Sequence, residues 1–348
     1  MRRLLVMVLS GALASSSPAA AQTAAEGGAS PDPGRRPAIV PALFFGPLST
    51  EEAGPLQRVA FTHMVEGADL VEDGTVQAEF WMGYANIFEQ DSAATHQLFM
   101  DLERLSTDIG ARWGATHRLE VGGRLSFETT GGGVLDTFVS EWHQRLRLGN
   151  GNRDKYPNGV YAQRLTDGAG KVRLDVPQRT LALEDVQLFA KWRAWRSPDG
   201  HRLVSLRGVA RIPMQDNRVG PQRADVSLMA LGRASWTRWH LHGTVGGATV
   251  RAAQDFDGLL RRAAFFADVA LERNLAPWVS GVAQLSLASP RLQGFDDPEV
   301  DGWPVNLVFG LTGRVGNGWR VDVSFQEDIP PNTPAVDFTL GIGVRRSW

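Results

Sequence analysis

The chain of 348 residues contains no cysteine. That excludes disulfides, thiolate metal centres, a cysteine nucleophile and a lipid-bearing N-terminal cysteine. Past its first residues it also lacks any run of about 18 apolar residues, so no helical span is available. It has no basic domain and no run of Lys or Arg; 36 basic residues face 38 acidic ones, for a formal charge of −2. Nucleic acid is therefore not an expected partner. No pattern for an organic cofactor is present, and none is expected.

What the chain does have is alternation. Residues 335–348 read A-V-D-F-T-L-G-I-G-V-R-R-S-W. Val336, Phe338, Leu340, Ile342 and Val344 are apolar, while Asp337, Thr339, Gly341, Gly343 and Arg345 are small or polar. Period two means a strand with two unlike faces. A greasy face and a final aromatic suit the closing strand of a transmembrane β-barrel. Such strands are only half apolar, so an ordinary overall hydrophobic content of 43% is no argument against them.

The N-terminus reads as an export signal. Arg2 and Arg3 precede a short apolar stretch, residues 4–13, and Ala19-Ala20-Ala21 offers a small-residue cleavage site. Residues 1–21 are thus an expected signal peptide. Residues 22–37, rich in Ala, Gly and Pro, are an expected disordered mature N-terminus. Residues 38–74 show turn residues around Phe44-Phe45 and little periodicity; they are expected to lie against or inside a barrel. Residues 75–348 form the barrel itself, with an insert at 131–179.

Twelve alternating segments can be traced: 76–84, 98–114, 118–128, 186–194, 203–212, 223–236, 239–251, 263–274, 279–287, 305–315, 319–328 and 335–348. The clearest sets Leu119, Val121, Gly123, Leu125 and Phe127 against Glu120, Gly122, Arg124, Ser126 and Glu128. About ten residues per strand suits a tilted crossing, and an even number suits a single-chain barrel. Short turns such as 316–318, G-N-G, alternate with longer loops. A soluble sandwich would alternate too. Placement of Trp192, Trp236, Trp239, Trp303, Trp319 and Trp348 near strand ends favours the membrane alternative. The predicted fold is all-β: an up-and-down antiparallel barrel of about 12 strands, with a partly helical insert in or over the lumen. Twelve tilted strands give a backbone radius of roughly 12 Å.

Several stretches of the first half resemble the Gram-negative family grouped as domain of unknown function 3187. They are Y-A-N-I-F-E (84–89), D-L-E-R (101–104), R-L-E-V-G (118–122), G-G-G-V-L-D-T-F-V-S-E-W-H (131–143) and G-N-G-N-R (149–153). The resemblance implies an outer-membrane location and a barrel, and no particular reaction. The expected partners are outer-membrane lipid and lipopolysaccharide, together with the barrel-assembly machinery through the strand ending at Trp348. Arg346 sits where a second aromatic is common in that recognition signal.

Chemistry, if any, is expected in the insert. Leu135, Phe138, Val139, Trp142 and Leu146 fall at helical spacing, with Asp136 at the start. A helix this polar cannot span lipid, so it is predicted to enter the lumen or cap one mouth. His143, Arg145, Asn150, Asn152, Arg153 and Asp154 would then face the interior beside wall residues Glu120, Arg124 and Glu128. Such a ring of charge would set selectivity, or merely satisfy the wall. His240 and His242 share a strand face, but a metal would need a third and a fourth ligand, and nothing in the sequence places the candidates His201 and Asp225 beside them. Glu79, Asp101, Glu103 and Glu120 are a possible acidic patch. Ser140 and His143, with Asp136 a turn earlier, have the types of a hydrolytic triad without a nucleophile turn. The expectation is a channel or small-solute transporter with a charged, partly plugged lumen. A structural or assembly barrel and a lipid-modifying enzyme are the alternatives.

Overall fold

A two-faced strand needs hydrogen-bonded neighbours along both edges, and closure is the way to leave no edge open. The computed structural model describes residues 44–146, 153–214, 224–251, 256, 258–329, 334, 336 and 338–348. Its strands are β1 (Val76–Ala93), β2 (His96–Thr116), β3 (Leu119–Gly131), β4 (Ala162–Asp167), β5 (Val172–Asp175), β6 (Arg179–Arg196), β7 (Arg202–Pro213), β8 (Asp225–Trp236), β9 (Trp239–Thr249), β10 (Ala263–Ala276), β11 (Val279–Ala288), β12 (Val305–Val315), β13 (Trp319–Asp328) and β14 (Phe338–Ser347). All belong to one 14-stranded antiparallel sheet. β1 pairs with both β2 and β14, which closes the ring. β4 and β5 branch from the edge of β2, so the ring itself has twelve strands. Each of the twelve alternating segments has become a ring strand. The two branching strands lie within the insert and carry no alternation long enough to read.

Connections sort by rim. β2–β3, β6–β7, β8–β9, β10–β11 and β12–β13 meet at tight turns on one rim. Gly316 (φ 57°) and Gly318 (φ 80°) adopt the left-handed backbone that the β12–β13 turn requires. The other rim carries the insert and the long loops. β1 and β2 run for 18 and 21 residues, about twice what a crossing needs. Their surplus stands beyond the ring as a hairpin roughly 25 Å long. β4 pairs with His96–Asp101 of β2 there, above the point where β3 departs.

The faces divide as alternation demands. Along β3, Glu120, Arg124, Ser126, Glu128 and Thr130 are buried, whereas Leu125 is exposed. Along β8, Asp225, Ser227 and Arg233 are buried and Val226 and Leu228 exposed. Exposed Ile109, Leu188, Val245, Val269, Leu285, Phe309 and Val323 continue the apolar belt. With one closed sheet, no second sheet among the described residues covers that belt, so the sandwich alternative falls. Trp113, Trp192, Trp236, Trp239, Trp278, Trp319 and Trp348 stand exposed around the tight-turn rim. Among the described residues, no helix is long and apolar enough to cross a membrane.

Candidate functional site

The lumen is occupied. Residues 44–73 form a hairpin inside the ring, tied to itself by the bridge Glu51↔Met64 and by Val65 N–H donating to Thr50 O at 2.9 Å. The segment has no regular strand of its own, so its backbone groups must find partners on the wall. The inward faces of most of the ring strands supply them.

The ascending arm begins in the tight-turn half. There the Phe45 and Gly46 amides donate to Glu272 at 2.8 and 2.9 Å. Arg320 donates to Pro47 O, Arg345 to the Ser49 hydroxyl, and Gln284 to Thr50 at 2.9 Å. At the tip, Arg104, Arg211 and Arg291 donate to the carbonyls of Ala53, Ala60 and Phe61 at 2.5, 2.8 and 3.1 Å. Arg58 answers with an ion pair to Glu184. The descending arm sets His63 Nε2 2.8 Å from Asp268 and Asp69 2.9 Å from Arg233. Ser205 donates to Ala68 O at 2.6 Å, and the Val71 amide donates to Glu120 at 2.7 Å.

Glu66 draws three wall cations together. Its carboxylate meets Arg207 at 2.5 Å, Arg112 at 3.0 Å and Lys191 at 3.3 Å. Arg112 also reaches Glu79 at 2.5 Å and Glu120 at 3.3 Å, and Lys191 reaches Glu120 at 3.3 Å. The Phe189 ring lies beneath the Arg207 and Arg112 guanidiniums, 4.3 and 5.5 Å from its centre. Two voids between hairpin and wall measure about 10 Å³ and 20 Å³. Each has room for about one water.

Above the tip the packing turns apolar. Leu56, Val59 and Phe61 of the hairpin cluster with Ile87, Leu98, Met100 and Leu102 of the β1–β2 extension. Leu165 and Leu174 of β4 and β5 join them, as do Leu260, Leu292, Phe295 and Val300 from the long loops. The short helix α2 (Pro298–Asp301), capped by Asp297, sits in this cover. Burial, and then the charges of Asp91 and Asp297, push the carboxyl of Glu299 up to about 7.

The strands β4 and β5 of the insert thus join the cover over one mouth, but its helix lies elsewhere than sequence reasoning put it. This helix, α1 (Asp136–Leu146), leans on the outward-pointing side of the ring at the long-loop rim. Phe138 meets Phe338 at 5.7 Å and Trp142 meets Phe325 at 5.8 Å between ring centres. The helix's apolar stripe finds an aromatic ledge there, and the lumen is already full. His143, Arg145 and Arg153 therefore do not line the interior. His143 stands 3.3 Å from Glu327, and Arg145 is exposed, 3.7 Å from Glu141. Asn150 and Asn152 lie outside the described residues, and Asp154 falls in a single 3₁₀ turn with Arg153. Glu120, Arg124 and Glu128 do face the lumen. Their partners are the hairpin and the wall: Arg124 donates to Gln187 at 2.8 Å, and Glu128 holds Arg104 at 3.0 Å and Arg179 at 3.3 Å.

Beneath α1 lies a buried clasp. Arg153 bonds Asp136 at 2.8 Å, approaches Asp101 at 3.5 Å and donates to the side-chain Oδ1 of Asn86. Asn86 in turn donates to Glu103 at 3.1 Å and to Asp136 at 3.0 Å. Glu103 also receives the Tyr84 hydroxyl and the amides of Val134 and Leu135. Gly133 has φ 67°, and a Cβ there would collide with the Glu103 carboxylate. Asp136 also accepts from the Gly159 amide at 2.7 Å. Its oxygens are thus committed to the clasp, a role distinct from orienting His143. The supposed acidic patch is split: Glu79 and Glu120 point inward to Arg112, and Asp101 and Glu103 point outward. His240 and His242 lie in the lumen, 3.0 Å from Ser235 and 3.0 Å from Glu272 respectively.

The sequence model of a family described as protein of unknown function (DUF3187) matches residues 36–348. The chain belongs to this family. The stretches by which the sequence resembles DUF3187 members supply Tyr84, Asn86, Asp101, Glu103, Gly133, Asp136 and Arg153, which together are the clasp. No curated protein matches the chain in sequence. Among solved structures, an outer-membrane channel from Pseudomonas putida F1 superposes with a TM-score of 0.52 at 14% identity, covering 81% of this chain and 98% of that one. The NanC porin gives 0.44 at 10% identity, covering 77% and 98%. The toluene transporter TodX of Pseudomonas putida gives 0.39 at 9%, covering 86% and 98%. At such identities the likeness to the first is one of fold: a closed barrel of the outer-membrane kind.

Sequence reasoning missed Glu66, Lys191 and Arg207 as a group. One signal was available. Residues 44–73 carry six carboxylates and a single Arg, next to a ring whose inward residues include many arginines.

Proposed function

We propose that this chain is an outer-membrane channel for small anionic solutes, held shut by its own N-terminal hairpin. The observation that carries this reading is the nature of the seal. In the middle of the lumen, hairpin and wall meet through ion pairs and carbonyl–guanidinium bonds, which water or a charged solute can replace. An apolar core offers no such exchange. The apolar belt and the tryptophan girdle support a membrane setting, and the longer loops would face outward from the cell.

The anion preference follows from Glu66 and Asp69. Seated, they neutralise Arg112, Lys191, Arg207 and Arg233; withdrawn, they leave these cations facing a watery path, the arrangement that admits anions. Glu66 is then a tethered stand-in for the carboxylate or phosphate of a solute.

Planar-bilayer recording of the parent chain and of a variant lacking residues 44–69 tests the proposal. Heat-modifiable migration on a gel confirms that each barrel has folded. The parent should be closed for most of the record. The shortened chain should conduct steadily, with a reversal potential that favours anions. A folded, shortened chain without conductance would leave a purely structural barrel, and a parent that conducts as steadily as the variant would remove the hairpin from the mechanism.

A further inference from the structure

At the tip of the β1–β2 extension, three potential ligands converge from two parts of the chain. Asp91 is near the end of β1, His96 begins β2, and Asp297 caps α2 in the loop between β11 and β12. One donor atom from each lies within 4.8 Å of the other two. The His96 side chain is wholly buried, its ring edge-on to Phe295 with centres 5.6 Å apart.

Thr95 Oγ1 has one proton, which it donates to Phe295 O at 3.0 Å. Its 3.1 Å contact with His96 Nδ1 then needs the ring nitrogen as donor. In the neutral tautomer that leaves a lone pair on Nε2. Nε2 is buried and stands 2.9 Å from Asp91 Oδ2, the distance of an ion pair when the ring is protonated, and 4.0 Å from Asp297 Oδ2. Among the described residues neither Nε2 nor Asp91 Oδ2 has a hydrogen-bond partner beyond this cluster. Asp297 uses Oδ1 to accept the Glu299 amide at 2.9 Å, which leaves Oδ2 for another partner. With Nε2 unprotonated, three electron-rich atoms face one another, and a cation at their centre would satisfy all three at once.

We propose that Asp91, His96 and Asp297 are a binding site for a divalent transition-metal ion, with Zn²⁺ the fitting ion. A four-coordinate Zn²⁺ takes imidazole nitrogen and carboxylate oxygen at about 2.0–2.2 Å, so its ligands lie roughly 3.3 Å apart. That spacing is within reach of these three atoms, and a water can complete the shell. A hard ion such as Ca²⁺ or Mg²⁺ prefers an all-oxygen set and has little use for His96. The bound ion would fasten the α2 loop to the β1–β2 tip and so hold the cover over the long-loop mouth. This role is independent of whether the lumen conducts.

The test uses the full-length barrel in detergent, titrated with ZnCl₂ by calorimetry. One ion per chain should bind with micromolar or tighter affinity. His96→Ala and Asp91→Asn should each weaken binding by about 100-fold or more, given that even outer-shell changes cost 10–100-fold. Hydrogen exchange of residues 295–302 should slow when zinc is added to the parent and stay unchanged in the His96→Ala chain. Heat-modifiable migration checks folding, and His96→Gln replaces a variant that fails it. Absence of one-to-one binding by the parent at millimolar zinc would overturn the proposal. So would equal zinc affinity in the folded His96 variant, which would place the ion elsewhere.

Discussion

Glu66→Gln is the sharpest single perturbation of the lumen. Glutamine keeps the shape and removes one negative charge that faces Arg207, Arg112 and Lys191 at 2.5, 3.0 and 3.3 Å. At an effective dielectric of about 20, each contact is worth roughly 5–7 kcal/mol before desolvation is subtracted. Those gross figures overstate the loss, because Arg112 keeps Glu79 and Glu120 and Lys191 keeps Glu120. Measured losses on removing one partner of a buried pair run at about 3–5 kcal/mol. At about 1.4 kcal/mol per tenfold, the ratio of withdrawn to seated hairpin should rise by roughly 100- to 4,000-fold. Open events in a planar bilayer should become more frequent accordingly. A second readout needs no current. The chain has no native thiol, so Ala60→Cys at the buried hairpin tip can report exposure by maleimide labelling. Labelling should be slow in the Ala60→Cys chain and much faster when Glu66→Gln is added. A folded double variant whose labelling and open probability both equal those of the Ala60→Cys parent would refute the reasoning, since Glu66 would then hold nothing in place.

Other outcomes follow from the same geometry. Leu228→Arg puts a charge on the belt at a position 65% exposed in β8; urea titration in lipid vesicles should show a loss of about 2–4 kcal/mol. Arg153→Ala leaves Asp101 and Asp136 without their cation and should cost the insert about 3–5 kcal/mol. Limited proteolysis should then cut within residues 132–160 while the ring still migrates as folded. Gly133→Ala should loosen the same insert, because its left-handed backbone and the Glu103 carboxylate both oppose a side chain; the same proteolysis reads it. In a chain already lacking residues 44–69, Lys191→Ala should move the reversal potential toward non-selective.

The ring was legible because alternation is local. Each strand shows its two faces within ten residues, and twelve such segments with turns between them leave little choice of architecture. That residues 38–74 lie against or inside the barrel could be expected, but the path by which they fill the lumen was not legible, because residues 44–73 have no period of their own. They are ordered by Arg104, Arg211 and Arg291, which take their carbonyls from 50 to more than 200 residues away. Helix α1 was placed correctly along the chain and misjudged in space. Its stripe of Phe138, Val139 and Trp142 says that one side is covered and is silent on what covers it. The cover turned out to be Phe325 and Phe338 on the outer side of β13 and β14. The resemblance stretches were informative in a way their residue types did not reveal. Tyr84, Asn86, Glu103 and Arg153 look like scattered polar residues until β1, β2 and the insert bring them together.

Topology also constrains how such a seal can open. The hairpin precedes β1 in the chain, and β1 is stitched to β2 on one side and β14 on the other. Both of its arms lead to the tight-turn half, where Phe45 meets Glu272 and Asp73 bridges Gly114. Withdrawal in that direction breaks only the polar contacts along the wall and the apolar tip, and leaves every ladder of the ring intact. Movement toward the long loops would have to pass the β1–β2 extension and the cover over it, dragging the chain against its anchor at Val76. The direction that preserves the barrel is therefore toward the tight-turn rim, and a force that opens the channel should act from that side. Such a withdrawal would also take Leu56, Val59 and Phe61 out of the apolar cover, so that unseating the hairpin and loosening the opposite mouth become one event.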